Sequence, residues 1–117
     1  MKSSQYRILS ASNATSQTSG PIDVNQIVSA SFVIANGDTT AAGTAKLQCS
    51  NQVPTTTRDN FVPTIWADIP NATSVIAAGV GPAIVIGAMC FSYIRVVFTS
   101  TVAGNTTITV DMNQISP

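Results

Sequence analysis

The side chains able to take part in chemistry are few. The 117-residue chain has five Asp (Asp23, Asp38, Asp59, Asp68 and Asp111), five Lys and Arg together and two Cys, with neither Glu nor His. Without His it lacks the commonest general base and the commonest metal ligand. Two carboxylates could hydrolyse a glycosidic bond, but the five Asp are scattered and only the fold could pair them. A Ser or Cys nucleophile would need a neighbouring base, and no G-x-S-x-G context is present. Lys46, the one cation near a cysteine, should point to the other side of its strand from Cys49. Asn36-Gly37-Asp38 opens like a calcium loop but lacks the repeated acidic positions and the closing Glu, so it reads as a turn. No glycine motif cradles a phosphate. The expectation is a non-enzymatic chain with no metal and no cofactor.

Binding chemistry is confined to Trp66 and Arg95. An exposed indole stacks on sugar rings, and Trp66 is the residue a glycan site would choose; placed between Ile65 and Ala67, it is expected instead to plug one end of a core. Arg95 stands inside the apolar run from Tyr93 to Thr99. Alternation sends Ile94, Val96 and Phe98 to one face and Tyr93, Arg95, Val97 and Thr99 to the other. Arg95 is therefore expected on an outer sheet face, its stem on Tyr93 and Val97 and its head near Asp111 or Asp68. It is either a plain surface cation or, if a second subunit covers that face, a residue that fixes the contact.

Composition narrows the partners. Charged residues make up 9% of the chain, against roughly 25% in an ordinary soluble domain. Fifteen Thr help to fill the gap. With zero formal net charge and no basic patch, nucleic-acid binding is not expected. A neutral surface also favours an oligomer, because isolated monomers usually carry net charge for solubility. The N-terminus has no apolar run of signal-peptide length. The uncharged stretch 75–91 is broken by Gly79, Gly81, Pro82 and Gly87, so it reads as two buried strands around a GVGP turn and not as a membrane span. Cys49 and Cys90 flank Trp66 at too short a separation for an immunoglobulin pair and are expected to be buried thiols, with a bridge left open. The sequons at Asn13, Asn71 and Asn105 are about as many as chance supplies in so Thr-rich a chain, and glycosylation is not indicated.

The elements that must position these residues are all strands. No segment keeps a helical period; short alternating blocks are separated by Gly, Pro, Asn and Asp. Residues 6–11 read as an edge strand, followed to residue 20 by a Ser/Thr/Asn-rich arm or loop. Strands follow at 28–35 and 44–50, read as one hairpin, then at 64–69, ending at Pro70. Two more lie at 73–77 and 83–86, and a last hairpin joins 93–99 to 106–112. The fold class is all-β: a single antiparallel β-sandwich domain over 21–117 with about seven to eight short strands, jelly-roll-like.

Five ordered segments carry a resemblance: Pro21-Ile22-Asp23-Val24, then Gly43-Thr44-Ala45-Lys46-Leu47-Gln48-Cys49-Ser50-Asn51, then Ile65-Trp66-Ala67-Asp68-Ile69-Pro70. Tyr93-Ile94-Arg95-Val96-Val97-Phe98 and Gly104-Asn105-Thr106-Thr107-Ile108-Thr109-Val110 complete it. The series, covering most of 21–113, resembles small β-sandwich virion proteins of tailed bacteriophages, found as head-decoration or tail components. The resemblance implies a virion structural protein in symmetric copies, foremost a capsid decoration or cement protein. Its partners would be a major capsid or tail protein and copies of itself, with no nucleic acid and no membrane, and its location the virion. Trp66, Tyr93 and Arg95 would be structural or interface positions, and outward-facing Val97 and Asp111 join them as candidates. The alternative is a carbohydrate- or receptor-binding module of a tail or adhesin, with Trp66 and the polar loop 51–60 as its site.

Overall fold

Strict alternation makes a strand two-sided, and a chain of two-sided strands can bury its apolar sides only by stacking one sheet on another. The structure, a computed structural model, describes residues 2–36, 42–76, 83–87, 89–104 and 106–117. The expected turns at Asn36-Gly37-Asp38, at 79–82 and around Asn105 fall wholly or partly outside these residues.

The strands are β1 (Lys2–Ser12), β2 (Gln17–Thr18), β3 (Ile22–Asp23), β4 (Ser29–Asn36), β5 (Ala42–Ser50), β6 (Ala67–Ile76), β7 (Ile84–Ile86), β8 (Tyr93–Val102) and β9 (Thr107–Ser116). One sheet runs β1-β9-β4-β7 and the other β2-β8-β5-β6, with β3 also on β8. All pairs are antiparallel. Since β2 and β3 meet β8 at successive places, they act as one interrupted strand, and the order is then that of a jelly roll.

Two expected hairpins are not hairpins. β4 and β5 lie in different sheets, and so do β8 and β9. Their inward faces match because they oppose each other across the core, not because they sit side by side. Ile94, Val96 and Phe98 of β8 and Ile108, Val110 and Met112 of β9 are all buried in one cluster, with Phe32, Ile34, Ala45, Leu47 and Ile76. At Gly43 the strands pass so closely that a Cβ would lie 2.5 Å from the Phe98 ring and from the Thr99 carbonyl oxygen. The apolar stretch 75–91, which includes the end of β6, does not form two fully buried strands either: Val75 and Val85 are exposed while Ile76, Ile84 and Ile86 are buried.

β6 does not end at Pro70. It runs through it, because the register against β5 shifts between Lys46 and Gln48 and leaves residues 69–72 bulged, with Asn71 at φ 60°. A bulge tolerates a proline that has no N–H for the ladder, and Asn is among the residues that enter the left-handed region readily. The expected separate strands 64–69 and 73–77 are thus largely one bulged strand.

Residues 2–20 are tied into the sandwich. β1 pairs with β9 from Lys2↔Ser116 to Ser12↔Thr107, with a bulge at Ile8. Beyond it Asn13 is fully buried. Its Nδ2 donates to Asn36 Oδ1 (2.7 Å) and Thr106 Oγ1 (3.1 Å), and its Oδ1 accepts from the Thr106 N–H (3.0 Å). Its carbonyl accepts from the Gly104 N–H at 3.3 Å. One side chain thus joins the corner after β1 to the end of β4 and the β8–β9 connection. Being enclosed, Asn13 also cannot accept a glycan in the folded chain. Asn13→Ala strands the Thr106 N–H, so it is expected to cost about 1–3 kcal/mol. The urea midpoint should fall at an unchanged m-value, and an unaltered midpoint would show that the corner is not held this way.

Candidate functional site

The outer face of the β2-β8-β5-β6 sheet collects most of the candidate residues. Cross-strand register sets Asp68, Gln48 and Arg95 in one row over β6, β5 and β8. Arg95 Nε donates to Gln48 Oε1 at 2.8 Å, and Gln48 Nε2 donates to Asp68 Oδ1 at 2.8 Å. The amide therefore relays between cation and carboxylate, its oxygen toward one and its NH2 toward the other. The β6 bulge brings Lys46 to the same carboxylate at 3.2 Å. Hydrogen bonds from Gln48 and then Lys46 hold the Asp68 carboxyl below its usual range.

Trp66 lies on this row and not in the core. It immediately precedes β6, is half-buried, and donates from Nε1 to the Pro63 carbonyl at 3.1 Å. The Arg95 guanidinium sits 4.4 Å from the indole centroid, a stacked contact worth about 0.5–1 kcal/mol at an exposed site. The expected core plug is thus corrected: an indole next to a long cation gains its cover from the cation's planar face. Arg95 is on the outer face as expected, but Asp111 is not its partner. Asp111 belongs to the other sheet, where Arg7 Nε and Nη2 bond its two oxygens at 2.8 and 3.2 Å. Asp68 is reached only through Gln48.

Tyr93 and Val97 share the outward side of β8 with Arg95, in different surroundings. Val97 is half-buried opposite Lys46 and Thr18. Tyr93 is buried, because a short 3-10 turn, Arg58–Asn60, folds over it. Arg58 stacks 4.7 Å above its ring and Phe61 packs at 6.0 Å. Arg58 also bonds Asp23 at 2.6 Å and the Ser92 carbonyl at 3.0 Å. Burial alone would push the Asp23 carboxyl up, but the bond from Arg58, with the Asn25 N–H and the nearby positive charge, brings it below its usual value. No sequence signal in the loop 51–63 pointed to Arg58; the loop had to be seen folded over β8.

The other sheet's outer face carries Arg7, Asp111, Gln5, Asn113, Ser31 and Val33 around a shallow open groove of about 380 Å³, with Tyr6 at its rim. Arg7 holds the Asp111 carboxyl below its usual range by hydrogen bonding. Among the described residues no three metal-ligating side chains come together. Cys49 and Cys90 are free thiols, the first half-buried and the second exposed, so the expectation of two buried thiols fails for Cys90. Burial pushes the Cys49 thiol up, away from the reactive thiolate. No helix among the described residues is long and apolar enough to cross a membrane.

No protein-family model and no curated protein matches the chain. Solved structures share the fold. The SPBc2 prophage-derived protein YomS is 10% identical at a TM-score of 0.52, over 98% of this chain and 94% of that one. The chitosan-binding module 1 from a chitosanase/glucanase of Paenibacillus sp. IK-5 is 20% identical at a TM-score of 0.52, over 96% of this chain and 76% of that module.

Two outcomes follow from these contacts. Arg95→Ala should bare one face of Trp66, raising iodide quenching of its fluorescence and shifting its emission to the red; unchanged quenching would contradict the stacked geometry. The pH dependence has a defined sign. Asp23, Asp68 and Asp111 all have folded values depressed below the unfolded one. Their stabilisation is therefore present above the unfolded value and lost as pH falls through the folded one. With no His to titrate, the urea midpoint should stay level through mildly acidic conditions and drop only below about pH 4. Asp23→Asn and Asp111→Asn should each flatten that acid slope.

Proposed function

We propose that the chain is a non-enzymatic structural protein of a bacteriophage particle, a decoration protein that stabilises the capsid shell through symmetric subunit contacts. The observation that carries this reading is the exposure of three aliphatic side chains on one pinned loop. Val53, Val62 and Ile65 are 77%, 63% and 70% exposed. The loop is pinned where Gln52 Oε1 accepts from the Thr64 and Ile65 N–H groups at 2.8 and 3.2 Å. Ile65 immediately precedes Trp66, on which Arg95 stacks, and charged residues are only 9% of the chain. Apolar side chains held in fixed positions with little charge around them suit burial against another subunit. The ordered motifs that resemble those of phage virion proteins support the same reading, and a prophage-derived protein of similar fold over 98% of this chain is consistent with them.

Stacking a sugar on Trp66 is less well supported, since Arg95 already occupies one indole face. In the decoration reading the Trp66–Arg95 row is a pre-formed rim of the contact. Its polar groups satisfy one another, so little rearrangement is required on docking. Particles purified from cells carrying the gene should contain the chain in many copies, detectable by mass spectrometry and by antibody labelling of intact particles. Ile65→Asp together with Val53→Asp should abolish its incorporation while leaving the fold intact. If the wild-type chain is absent from particles and sediments as a monomer at millimolar concentration, the reading fails.

A further inference from the structure

The two outer sheet faces differ in one respect that bears on binding. Around Trp66, the polar groups pair with each other. Around Asp111, on the β1-β9-β4 face, several do not. Register places Gln5, Asn113 and Ser31 in one row across the three strands, and Arg7, Asp111 and Val33 in the next. The Gln5 amide and the Ser31 hydroxyl make no hydrogen bond within the protein among the described residues. Asn113 uses only its Oδ1, accepting from Ser3 Oγ at 3.0 Å, which leaves its NH2 outward. The Arg7 fork is fixed by Asp111 through Nε and Nη2, so its remaining N–H groups are held in a defined direction. These groups surround the groove of about 380 Å³, with the exposed methyls of Val33 closing the second row on β4.

We infer that this groove is a binding site for a neutral oligosaccharide. Planar amide and guanidinium groups, with a carboxylate between them, donate to and accept from vicinal hydroxyls, each of which is both donor and acceptor. Val33 supplies the apolar surface on which the C–H face of a sugar ring rests. Rows two residues apart are about 7 Å along the strands and neighbouring strands about 5 Å apart, so the polar atoms span more than one ring. Arg7 and Asp111 cancel each other's charge, which leaves no net field for a polyanion or a cationic sugar. Three paired strands fix the backbone under these groups, and the Arg7–Asp111 pair and Asn113 are already ordered by their own hydrogen bonds, which leaves Gln5 as the long side chain to be ordered on binding. The site is separate from the Trp66 row and does not depend on the chain's place in a particle.

The test is a titration of the 15N-labelled full chain with maltohexaose, cellohexaose and hexa-N-acetylchitohexaose, with the cationic glucosamine hexamer as control. At least one neutral oligomer should move the side-chain NH2 signals of Gln5 and Asn113 and the backbone signals of Ser31 and Val33 on one saturating curve. The dissociation constant should be on the order of 1 mM, and Gln5→Ala and Asn113→Ala should each weaken it about tenfold at an unchanged melting temperature. Trp66→Ala should leave it unaltered. The inference is overturned if no neutral oligomer moves these signals at about ten times that concentration, or if the cationic hexamer alone binds. It also fails if the shifts centre on 51–66, if they appear on changing protein concentration alone, or if the Asn113 variant binds like the wild type.

Discussion

Strands β4, β5, β6, β8 and β9 each have one apolar side, and that side finds cover on the opposite sheet. The rest of the structure follows from this constraint. A hairpin would leave two apolar faces side by side and still uncovered, so most connections cross from sheet to sheet and the strand order becomes that of a jelly roll. Crossing connections leave backbone groups at the corners without ladder partners, and these must be met some other way. Asn13 does so at one corner by bonding Asn36 and Thr106. Ser19 does so at the break between β2 and β3, its hydroxyl accepting from the Val96 N–H at 2.9 Å and its own N–H reaching the Val96 carbonyl at 2.9 Å. The buried polar residues Asn13 and Ser19 are therefore consequences of the topology.

The inward faces were legible in the sequence because period-two alternation determines them directly. Phe32 and Ile34, Ala45 and Leu47, Ile94, Val96 and Phe98, and Ile108, Val110 and Met112 all face the core as alternation requires. Strand pairing was not legible, since alternation cannot distinguish a neighbour in the same sheet from a partner across the core. Both place the same residues in contact with apolar surroundings. The same ambiguity hid the site. That Arg95 faces outward can be read from its neighbours, but its pairing with Gln48 needs the β5–β8 register. Its reach to Asp68 needs, further, the bulge that carries Pro70 and Asn71. Trp66 was misplaced because a lone aromatic in an apolar strand usually fills a core, whereas here the strand begins one residue later.

Zero net charge takes on structural meaning once the pairs are located. Arg7 is matched by Asp111, Lys46 by Asp68 and Arg58 by Asp23, and the pairs occupy both sheets and the loop over Tyr93. Six of the ten charged side chains are therefore neutralised where they stand, which limits the long-range field. Such a surface does not steer partners by charge. Association must rest on shape, apolar contact and short-range hydrogen bonding, which operate only when surfaces already touch. High local concentration favours that mode, and copies ordered on a shared scaffold provide it. The separation of the two outer faces then becomes useful. On the sheet bearing Trp66 and Arg95, the Arg95–Gln48–Asp68 row is internally satisfied, and the loop beside it exposes Val53, Val62 and Ile65, so that row can be covered without stranding its polar groups. The opposite sheet keeps Gln5, Ser31 and the Asn113 amide open to solvent, and covering it with an apolar partner would leave those groups unpaired, at a cost. A subunit docked through the first face leaves the second free, and hydrogen-bonding groups free on a rigid sheet are suited to a ligand that can satisfy them.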